Sequence, residues 1–410
     1  MTAPDAAPDA APAPDAVPAP GTGGAGETDL AMDYVLPLRW SDDAGLEELT
    51  AYLGRLRSHV RVIVVDGSPA ELFARHGARW GGLALHVRPD ADLGFANGKV
   101  NGVMTGLRRA RAEHVVIADD DVRYGAGELA RLDALLEDAD LVRPQNHFDP
   151  MPWHARWDSA RTLLNRGLGA DYPGTFGVRR STFWAMGGYD GNVLFENLEL
   201  IRTVGAHGGR ERRPLDLYVR RLPPDPRRFW SQRVRQAYDD LAQPARMALF
   251  LAVAPAVALA LWRRRPAPVL AGAGLAVGLA EIGRRRAGGR RVFPRSAALF
   301  APVWLLERAV CSWLALAARL LRGGVFYAGR RIPVAAHSSR LLRARSQAAA
   351  PGSPAARGAG APGTGEGASG SPAARKPDSL CDPSQNGLAE ERPQRHSATV
   401  ARPGSMTVPS

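Results

Sequence analysis

Three consecutive aspartates, Asp119 to Asp121, follow directly after the apolar segment 114–118. Three neighbouring carboxylates at the end of a buried strand repel one another, and a divalent cation is the usual way to neutralise them. Mg²⁺ and Mn²⁺ prefer oxygen ligands and are commonly held by one or two carboxylates together with substrate phosphates. The Asp-x-Asp spacing fits a loop in which one aspartate faces the metal and the other faces a sugar or ribose hydroxyl. The alternative is a solvated acidic turn.

A fourth carboxylate, Asp66, ends the apolar segment 60–65 and precedes Gly-Ser-Pro, a turn signal. At the end of a central strand it could accept hydrogen bonds from a base or a ribose, although a turn-forming aspartate before glycine is also common. Ligands of open α/β sheets bind at the carboxyl ends of the strands. We therefore expect Asp66 and the acidic triplet to face one site.

Lys99 lies in the glycine-rich stretch 94–102, and the only other lysine of the chain is Lys376. Glycines allow a backbone to approach a ligand closely, and a lysine beside them could neutralise a phosphate. The stretch lacks the Gly-x-x-x-x-Gly-Lys-Ser/Thr pattern of a P-loop. A solvated surface lysine is the alternative.

Two later stretches also carry reactive groups. Glu196 and Glu199 could supply a general base, or they could be the exposed acids at the start of an amphipathic helix. The stretch 227–236 mixes arginine, glutamine and aromatic residues. Its arginines suit a phosphate, and they equally suit anionic lipid headgroups beside a membrane.

The elements that would position these groups alternate between strand and helix. Apolar runs predict strands, and apolar residues at helical spacing predict helices. This alternation indicates an α/β fold with a mostly parallel sheet. The predicted strands are 34–39, 60–65, 83–87, 114–118 and 140–142, and the predicted helices are 44–58, 99–112 and 126–138.

Three apolar segments follow at 245–262, 268–282 and 297–321. A helix needs about 20 apolar residues to span a bilayer, so the first is a plausible span and the others are spans or interfacial helices. Arginine clusters flank the second segment on both sides, which favours lipid as the basic chain's partner and gives no clean orientation. A buried helical subdomain is the alternative.

Composition limits what the remainder of the 410-residue chain can do. Residues 1–30 and 341–410 are rich in small residues and proline, which predicts disordered tails. The net charge is +12, but nucleic-acid binding is not expected because no zinc-finger spacing or RNA-binding aromatic pattern occurs. Two cysteines do not support a disulfide framework, so a reducing compartment fits. No cleavable signal peptide is predicted.

Taken in chain order, these features resemble the family-2 glycosyltransferases of the GT-A fold. The similarity is greatest to the membrane-attached branch that includes ceramide glucosyltransferase and cellulose synthase, and it covers about residues 33–240. That branch carries a first-strand proline, an aspartate after the second strand, an Asp-x-Asp, a Glu-Asp-x-Glu-Leu-like motif and a Gln-x-x-Arg-Trp motif. The matching positions are Pro37, Asp66, Asp119 with Asp121, Glu196 to Leu200, and Gln232 to Gln236.

The resemblance implies an inverting hexosyltransferase with a GT-A domain at 31–240 and membrane-associated helices at 245–325. It implies transfer from a nucleotide-diphospho-sugar to a lipid or lipid-linked acceptor at the cell membrane, with the catalytic domain facing the cytoplasm. Glu196 would be the base, with Glu199 as the second candidate. Mg²⁺ or Mn²⁺ would be bound by Asp121 and Asp119. The sugar donor would be bound by Pro37, Asp66, Asp119, Gln232, Arg233 and Arg235. Lys99 is added to this set because lysine is so rare in the chain.

The chain departs from the family pattern at two positions. Asn197 stands where the family has the aspartate that serves as base, and an amide cannot accept a proton at neutral pH. Gln236 stands where the family has a tryptophan, in a motif associated with the acceptor and the donor diphosphate. The alternative function is therefore a non-catalytic nucleotide-sugar-binding or scaffold protein at the membrane.

Overall fold

Alternating strands and helices build the first part of the chain, as the sequence predicts. The computed structural model describes residues 30–327 and 329–349. The predicted N-terminal tail, apart from Leu30, and most of the predicted C-terminal tail lie outside the described residues.

Twelve strands occur within the described ranges. In chain order they are β1 Met32–Leu38, β2 Arg61–Asp66, β3 Leu85–Val87, β4 His114–Ala118, β5 Val122–Arg123, β6 Leu141–Val142, β7 Gln145–Phe148, β8 Thr175–Arg179, β9 Glu211–Arg212, β10 Tyr218–Arg221, β11 Val325–Tyr327 and β12 Arg330–Ile332.

The same ranges contain fourteen α-helices. They are α1 Leu46–Leu56, α2 Ala70–Trp80, α3 Gly98–Arg109, α4 Ala126–Leu136, α5 Trp153–Leu168, α6 Arg180–Ala185, α7 Glu196–Ala206, α8 Pro226–Ser231, α9 Arg233–Tyr238, α10 Pro244–Trp262, α11 Ala267–Arg285, α12 Arg295–Leu299, α13 Ala301–Arg322 and α14 Ser339–Ala349.

The central sheet has seven strands in the order β3-β2-β1-β4-β8-β6-β9. Strands β3, β2, β1 and β4 are parallel, and β8 runs antiparallel to both β4 and β6. The carboxyl ends of β1, β2 and β4 therefore meet at one edge, and the residue before β8 lies at the same edge. The predicted α/β class with a mostly parallel sheet is confirmed.

Both faces of the sheet are buried, which explains the continuous apolar runs that the sequence shows. Tyr34 and Leu36 of β1 point to one face and pack with α1, α2 and α4. Val35, between them, points to the other face and packs with α3 and α7. The alternation follows the two-residue period of a strand, so both helical layers are anchored on the strands that end at the candidate site.

A smaller sheet of three strands, in the order β5-β10-β7, extends the same edge. Strand β10 pairs antiparallel with β5, and Arg221 lies opposite Val122 in the register. This pairing brings a residue from late in the chain beside the acidic triplet, because β5 begins directly after Asp121.

Three helices are long and apolar enough to cross a membrane: α10, α11 with the turn that follows it to Arg291, and α13. Only 11% of the apolar window of α10 is buried, against 22% and 39% for the other two. Exposed leucines and Trp262 cover their surfaces. Apolar surface left open to this extent is typical of lipid or partner contact and argues against the buried helical subdomain.

The predicted boundary of the C-terminal tail at 341 is too early for the described residues. Helix α14 crosses this boundary, and Leu342 on it is buried. The helix packs against α7. Its sequence is rich in arginine and poor in large apolar residues, so composition alone gave no sign of this packing.

Candidate active site

A cavity of about 790 Å³ lies at the edge where the strands end. Its wall includes Pro37 at the end of β1, Val65 and Gly67 at the end of β2, and the acidic triplet after β4. Gln232, Arg233 and Arg235 line its far side. Residues from motifs that are far apart in the sequence therefore line one cavity at this edge of the sheet.

Lys99 joins two of these motifs. It lies in the first turn of α3, and its Nζ is 2.6 Å from Oδ1 of Asp119 and 2.6 Å from Oε1 of Glu196. Burial opposes its charge, but the two carboxylates raise the pKa of Lys99 above its ordinary value. Although burial also opposes the charge of Asp119, Lys99 and Arg221 lower the pKa of that carboxyl group. This lysine is an internal counterion and not a solvated surface group.

Arg221 neutralises the other end of the triplet. Its Nε lies 2.9 Å from both carboxylate oxygens of Asp121, and its Nη2 lies 3.4 Å from Oδ2 of Asp119. Burial raises the pKa of Asp121 to about 6, against the opposing effect of Arg221. The two aspartates thus hold a cation between them, which shows that the pair is arranged to concentrate negative charge.

Gly174 has a specific role beside this pair. A Cβ at this position would lie 2.4 Å from Oδ2 of Asp119. The backbone N–H of Asp119 donates to the carbonyl of Gly174 at 2.9 Å. Only glycine allows this close approach, so the residue before β8 fixes the position of the Asp119 carboxylate.

The middle aspartate differs from its neighbours. Oδ2 of Asp120 accepts a hydrogen bond from the Trp40 indole at 2.5 Å. No cation contacts this carboxylate among the described residues. The side chain of Asp120 therefore holds the loop after β1, whereas Asp119 and Asp121 face the cations.

The residues of the motif at the start of α7 differ in their contact with the cavity. Glu196 lines the wall, receives Lys99 on one oxygen and the Tyr189 hydroxyl on the other at 3.3 Å, and burial raises its pKa. The Asn197 amide accepts from Lys99 at 3.2 Å and donates to the Pro173 carbonyl at 3.0 Å. Asn197 is thus a structural link between α3 and the loop before β8.

Glu199 lies one turn further along α7 and faces away from the cavity. It is fully buried, and it accepts from the backbone N–H of His337 at 2.7 Å and from the imidazole of the same residue at 2.9 Å. It is not among the residues that line the cavity. The structure therefore does not bring Glu199 together with the other predicted site residues.

Asp66 is turned away from the cavity as well. Its carboxylate is fully buried and receives His76 Nδ1 at 2.6 Å, His86 Nε2 at 3.0 Å and the backbone N–H of Ser68 at 2.8 Å. The ligand atoms of Asp66, His76 and His86 lie within 4.8 Å of one another. Although burial opposes its charge, these hydrogen bonds lower the pKa of Asp66 to about 2.

We expect Asp66→Asn to destabilise the protein by about 2 kcal/mol at neutral pH, because the amide loses the charge that both histidines contact. The contribution of Asp66 is present above its unfolded pKa and is lost as pH falls toward 2. Thermal unfolding between pH 3 and 7 measures it, with Asp43→Asn as the matched control, since Asp43 contacts the same histidine from a more exposed position. A variant with unchanged stability but weakened binding of nucleotide would support the nucleoside role that the sequence suggested.

The predicted phosphate-binding stretch divides into two parts. Arg233 is buried, pairs with Asp158 at 3.0 Å and lies over the Phe229 ring. Arg235 lies 5.4 Å from the centre of the Tyr327 ring and interacts electrostatically with Asp119. Arg233 therefore anchors α9 to α5, and Arg235 remains the arginine of this stretch that is directed toward the triplet.

Sequence analysis missed several groups on the cavity wall. They are Asp158 and Arg161 on α5, Arg221 on β10, Asp239 and Asp240 after α9, Arg246 on α10 and Arg308 on α13. Asp240 pairs with Arg246 at 3.0 Å and with Arg308 at 3.4 Å. The adjacent aspartates at 239 and 240, directly after the arginine-rich stretch, were the one signal in the sequence that could have identified part of this set.

No protein-family model matches the chain, and no curated protein matches it. Among solved structures, mannosyltransferase PcManGT from Pyrobaculum calidifontis in complex with GDP-Man and Mn²⁺ is 19% identical, with 70% of this chain and 88% of that chain covered at a TM-score of 0.43. Glucosyl-3-phosphoglycerate synthase from Mycobacterium tuberculosis with Mn²⁺, UDP and phosphoglyceric acid is 19% identical, with a TM-score of 0.35. The match covers 49% of this chain and 73% of that chain. GalNAc-T7 with UDP, GalNAc and Mn²⁺ is 14% identical, with a TM-score of 0.32. The match covers 47% of this chain and 43% of that chain. Identity and overlap at this level do not assign an activity.

Proposed function

We propose that this chain is a metal-dependent inverting glycosyltransferase that moves a sugar from a nucleotide-diphospho-sugar to a lipid or lipid-linked acceptor at the cell membrane. The observation that carries the proposal is the charge arrangement of the cavity. Two aspartates suited to a divalent ion lie beside Lys99, Arg221 and Arg235 at the carboxyl ends of parallel strands. Metal ligands beside cations suit a nucleotide-diphospho-sugar, because both neutralise the charge of its diphosphate.

The donor set of Asp119 and Asp121 fits Mg²⁺ or Mn²⁺. Both side chains are partly accessible from the cavity, at 21% and 28%, and together they already hold the guanidinium of Arg221. When bound, the ion would stabilise negative charge on the leaving diphosphate. Arg221 contacts both oxygens of Asp121, so it would share this carboxylate with the ion and lie close enough to pair with a phosphate of the donor.

The other predicted groups act around this centre. Arg235 contacts the diphosphate, Pro37 and Gln232 shape the wall of the donor site, and Arg233 keeps α9 in place through Asp158. The acceptor hydroxyl oxygen bonds to the anomeric carbon while the bond from that carbon to the diphosphate oxygen breaks. The electron pair leaves with the nucleoside diphosphate, and the hydroxyl proton passes to a base.

The acceptor reaches the cavity from the apolar helices. Arg246 in the first turn of α10 and Arg308 on α13 both line the cavity wall. The cavity wall therefore includes the first turn of α10 and a residue about two turns into α13, and both helices are apolar enough to cross a membrane. A lipid or lipid-linked acceptor held among these helices would present its polar end to the sugar donor. We place the catalytic domain on the cytoplasmic side.

A donor screen tests the proposed function. Membranes from a strain that overexpresses the protein are incubated with Mn²⁺ and one nucleotide-diphospho-sugar at a time, and released nucleoside diphosphate and glycosylated lipid are measured. We expect one nucleotide-sugar to give both products, with neither formed when a chelator replaces Mn²⁺. Release in the chelator would contradict metal dependence.

A non-catalytic nucleotide-sugar-binding protein is the second candidate, and Asn197 is the observation that favours it. The amide at this position has both hydrogen-bonding ends occupied by the protein itself. Saturable binding of a nucleotide-sugar and Mn²⁺ without product from any membrane extract would support this second function over the first.

A further inference from the structure

The carboxylates that line the cavity differ in whether another protein group already contacts their oxygens. There are seven, and within the part of the chain that the structure describes six have a hydrogen-bonding or ion-pair partner. They are Asp119 with Lys99 and Arg221, Asp120 with Trp40, Asp121 with Arg221, Asp158 with Arg233, Glu196 with Lys99, and Asp240 with Arg246 and Arg308.

Asp239 is the seventh. It lies at the start of the 3₁₀ turn Asp239–Ala242 that follows α9, and its Oδ1 is buried without a hydrogen-bond partner. Oε1 of Gln236, three residues earlier on the same cavity wall, is also buried without a partner. Buried polar atoms are normally satisfied, so these two acceptor oxygens, on residues that line the cavity, are open to hydroxyl or amide donors of a ligand.

The two residues that the family resemblance offers as base, Glu196 and Glu199, both have protein partners in the structure. Glu199 is held by His337 outside the cavity, and Asn197 has no basic atom. Both oxygens of Glu196 are already occupied, one by Lys99 at 2.6 Å and the other by the Tyr189 hydroxyl at 3.3 Å, although burial raises its pKa. A carboxylate of the wall whose oxygens are not occupied by the protein is therefore better placed to take the proton.

We propose that Asp239 is the catalytic base, an inference that rests on the proposed glycosyl transfer. Its carboxylate takes the proton of the acceptor hydroxyl as the hydroxyl oxygen bonds to the anomeric carbon and the nucleoside diphosphate leaves with the electron pair. Asp239 becomes a neutral carboxylic acid, and Gln236 accepts a second hydrogen bond from the acceptor. The acceptor is thus a hydroxyl compound whose reacting end lies between α9 and α13.

The electrostatic surroundings suit this role. Burial raises the pKa of Asp239 to about 7, with Asp240 and Glu196 adding to the rise and Arg235 and Arg308 opposing it. A base works best when its pKa lies near the working pH, because it is then ionised and still holds a proton well. These four charged groups come from α7, α9, α13 and the turn itself, so the environment is set by the whole cavity.

The inference is tested with two variants of the full-length protein, Asp239→Asn and Glu196→Gln, each assayed in membranes of the strain that produces it. We expect Asp239→Asn to lower kcat by about 10²–10⁴-fold while the affinity for the nucleotide-sugar is unchanged. The rate of unmodified protein should rise with pH through about 7, and this rise should disappear in Asp239→Asn and persist in Glu196→Gln. Asp239→Ala should recover part of its rate in added formate, which supplies a carboxylate.

Loss of fold would not account for this result. Because the folded state raises the pKa of Asp239, its ionised form is destabilising at neutral pH, and the neutral amide should leave the melting temperature unchanged or higher. Transfer by Asp239→Asn at the rate of unmodified protein, or loss of the pH dependence in Glu196→Gln instead, overturns the assignment and leaves the proposed function intact. No transfer by unmodified protein with any nucleotide-sugar overturns both.

Discussion

Asp121→Asn is expected to abolish metal-dependent binding of the sugar donor and to lower the transfer rate by at least about 10³-fold, since a bound metal ion contributes several kcal/mol to the stabilisation of a leaving group. Asp121 is the aspartate whose two oxygens both lie 2.9 Å from a cation in this structure. An amide keeps the shape of the side chain but removes the charge. The remaining carboxylate, Asp119, is already neutralised by Lys99.

Mn²⁺ binding followed by titration, with and without nucleotide, measures this effect independently of turnover. Asp120→Asn is the matched control within the same triplet, because the oxygen of an asparagine can still accept from the Trp40 indole. We expect the control to retain Mn²⁺ binding. Equal Mn²⁺ affinity in Asp121→Asn and unmodified protein would show that the metal is held elsewhere or is not used.

The part of this site that the sequence predicts is the part that depends on strand ends. Apolar runs identify β1, β2 and β4, and parallel pairing then places the residues after them at one edge. Pro37 and the acidic triplet lie on the cavity wall for this reason. The apolar pattern of a strand depends on neighbouring residues alone, so it can be recognised in the sequence without knowledge of the tertiary structure.

The direction of a side chain at such an edge is not local. Asp66 ends β2 as predicted, but it faces His76 on α2 and His86 on β3, and no pattern in the sequence indicates those contacts. The cation beside Asp121 was missed for a similar reason. Arg221 reaches it through the pairing of β10 with β5, two strands too short to show a period.

The side of the cavity formed by the apolar helices was missed for the same reason. Apolar composition predicted the three helices and their approximate bounds, but it gave no role to the arginines within them. In the structure, Arg308 is buried on α13 and pairs with Asp240 on the cavity wall. An arginine that weakens the case for a simple membrane span is thus explained by the contact between that helix and the site.

Lys99→Met should have the largest effect on stability, because it leaves the partly buried Glu196 without a cation and Asp119 with only the longer contact to Arg221 at 3.4 Å. The Lys99 side chain is only 17% exposed and both of its ion pairs are 2.6 Å long. Removing one partner of a buried pair costs about 3–5 kcal/mol. We expect a large fall in melting temperature together with loss of nucleotide-sugar binding, since the freed Asp119 no longer holds its position beside Asp121.

The double variant Lys99→Met, Glu196→Gln separates repulsion from a simple packing defect. If the two carboxylates repel, neutralising Glu196 should restore part of the lost stability, giving a coupling of about 1–3 kcal/mol between the two positions. Thermal unfolding of the four proteins in the cycle measures this coupling. Strictly additive effects would mean that Lys99 contributes through its aliphatic chain alone. A positive coupling ties the fold to the site, because the ammonium group that allows these two acids to be buried also occupies one oxygen of Glu196, whereas the proposed base Asp239 has no such partner.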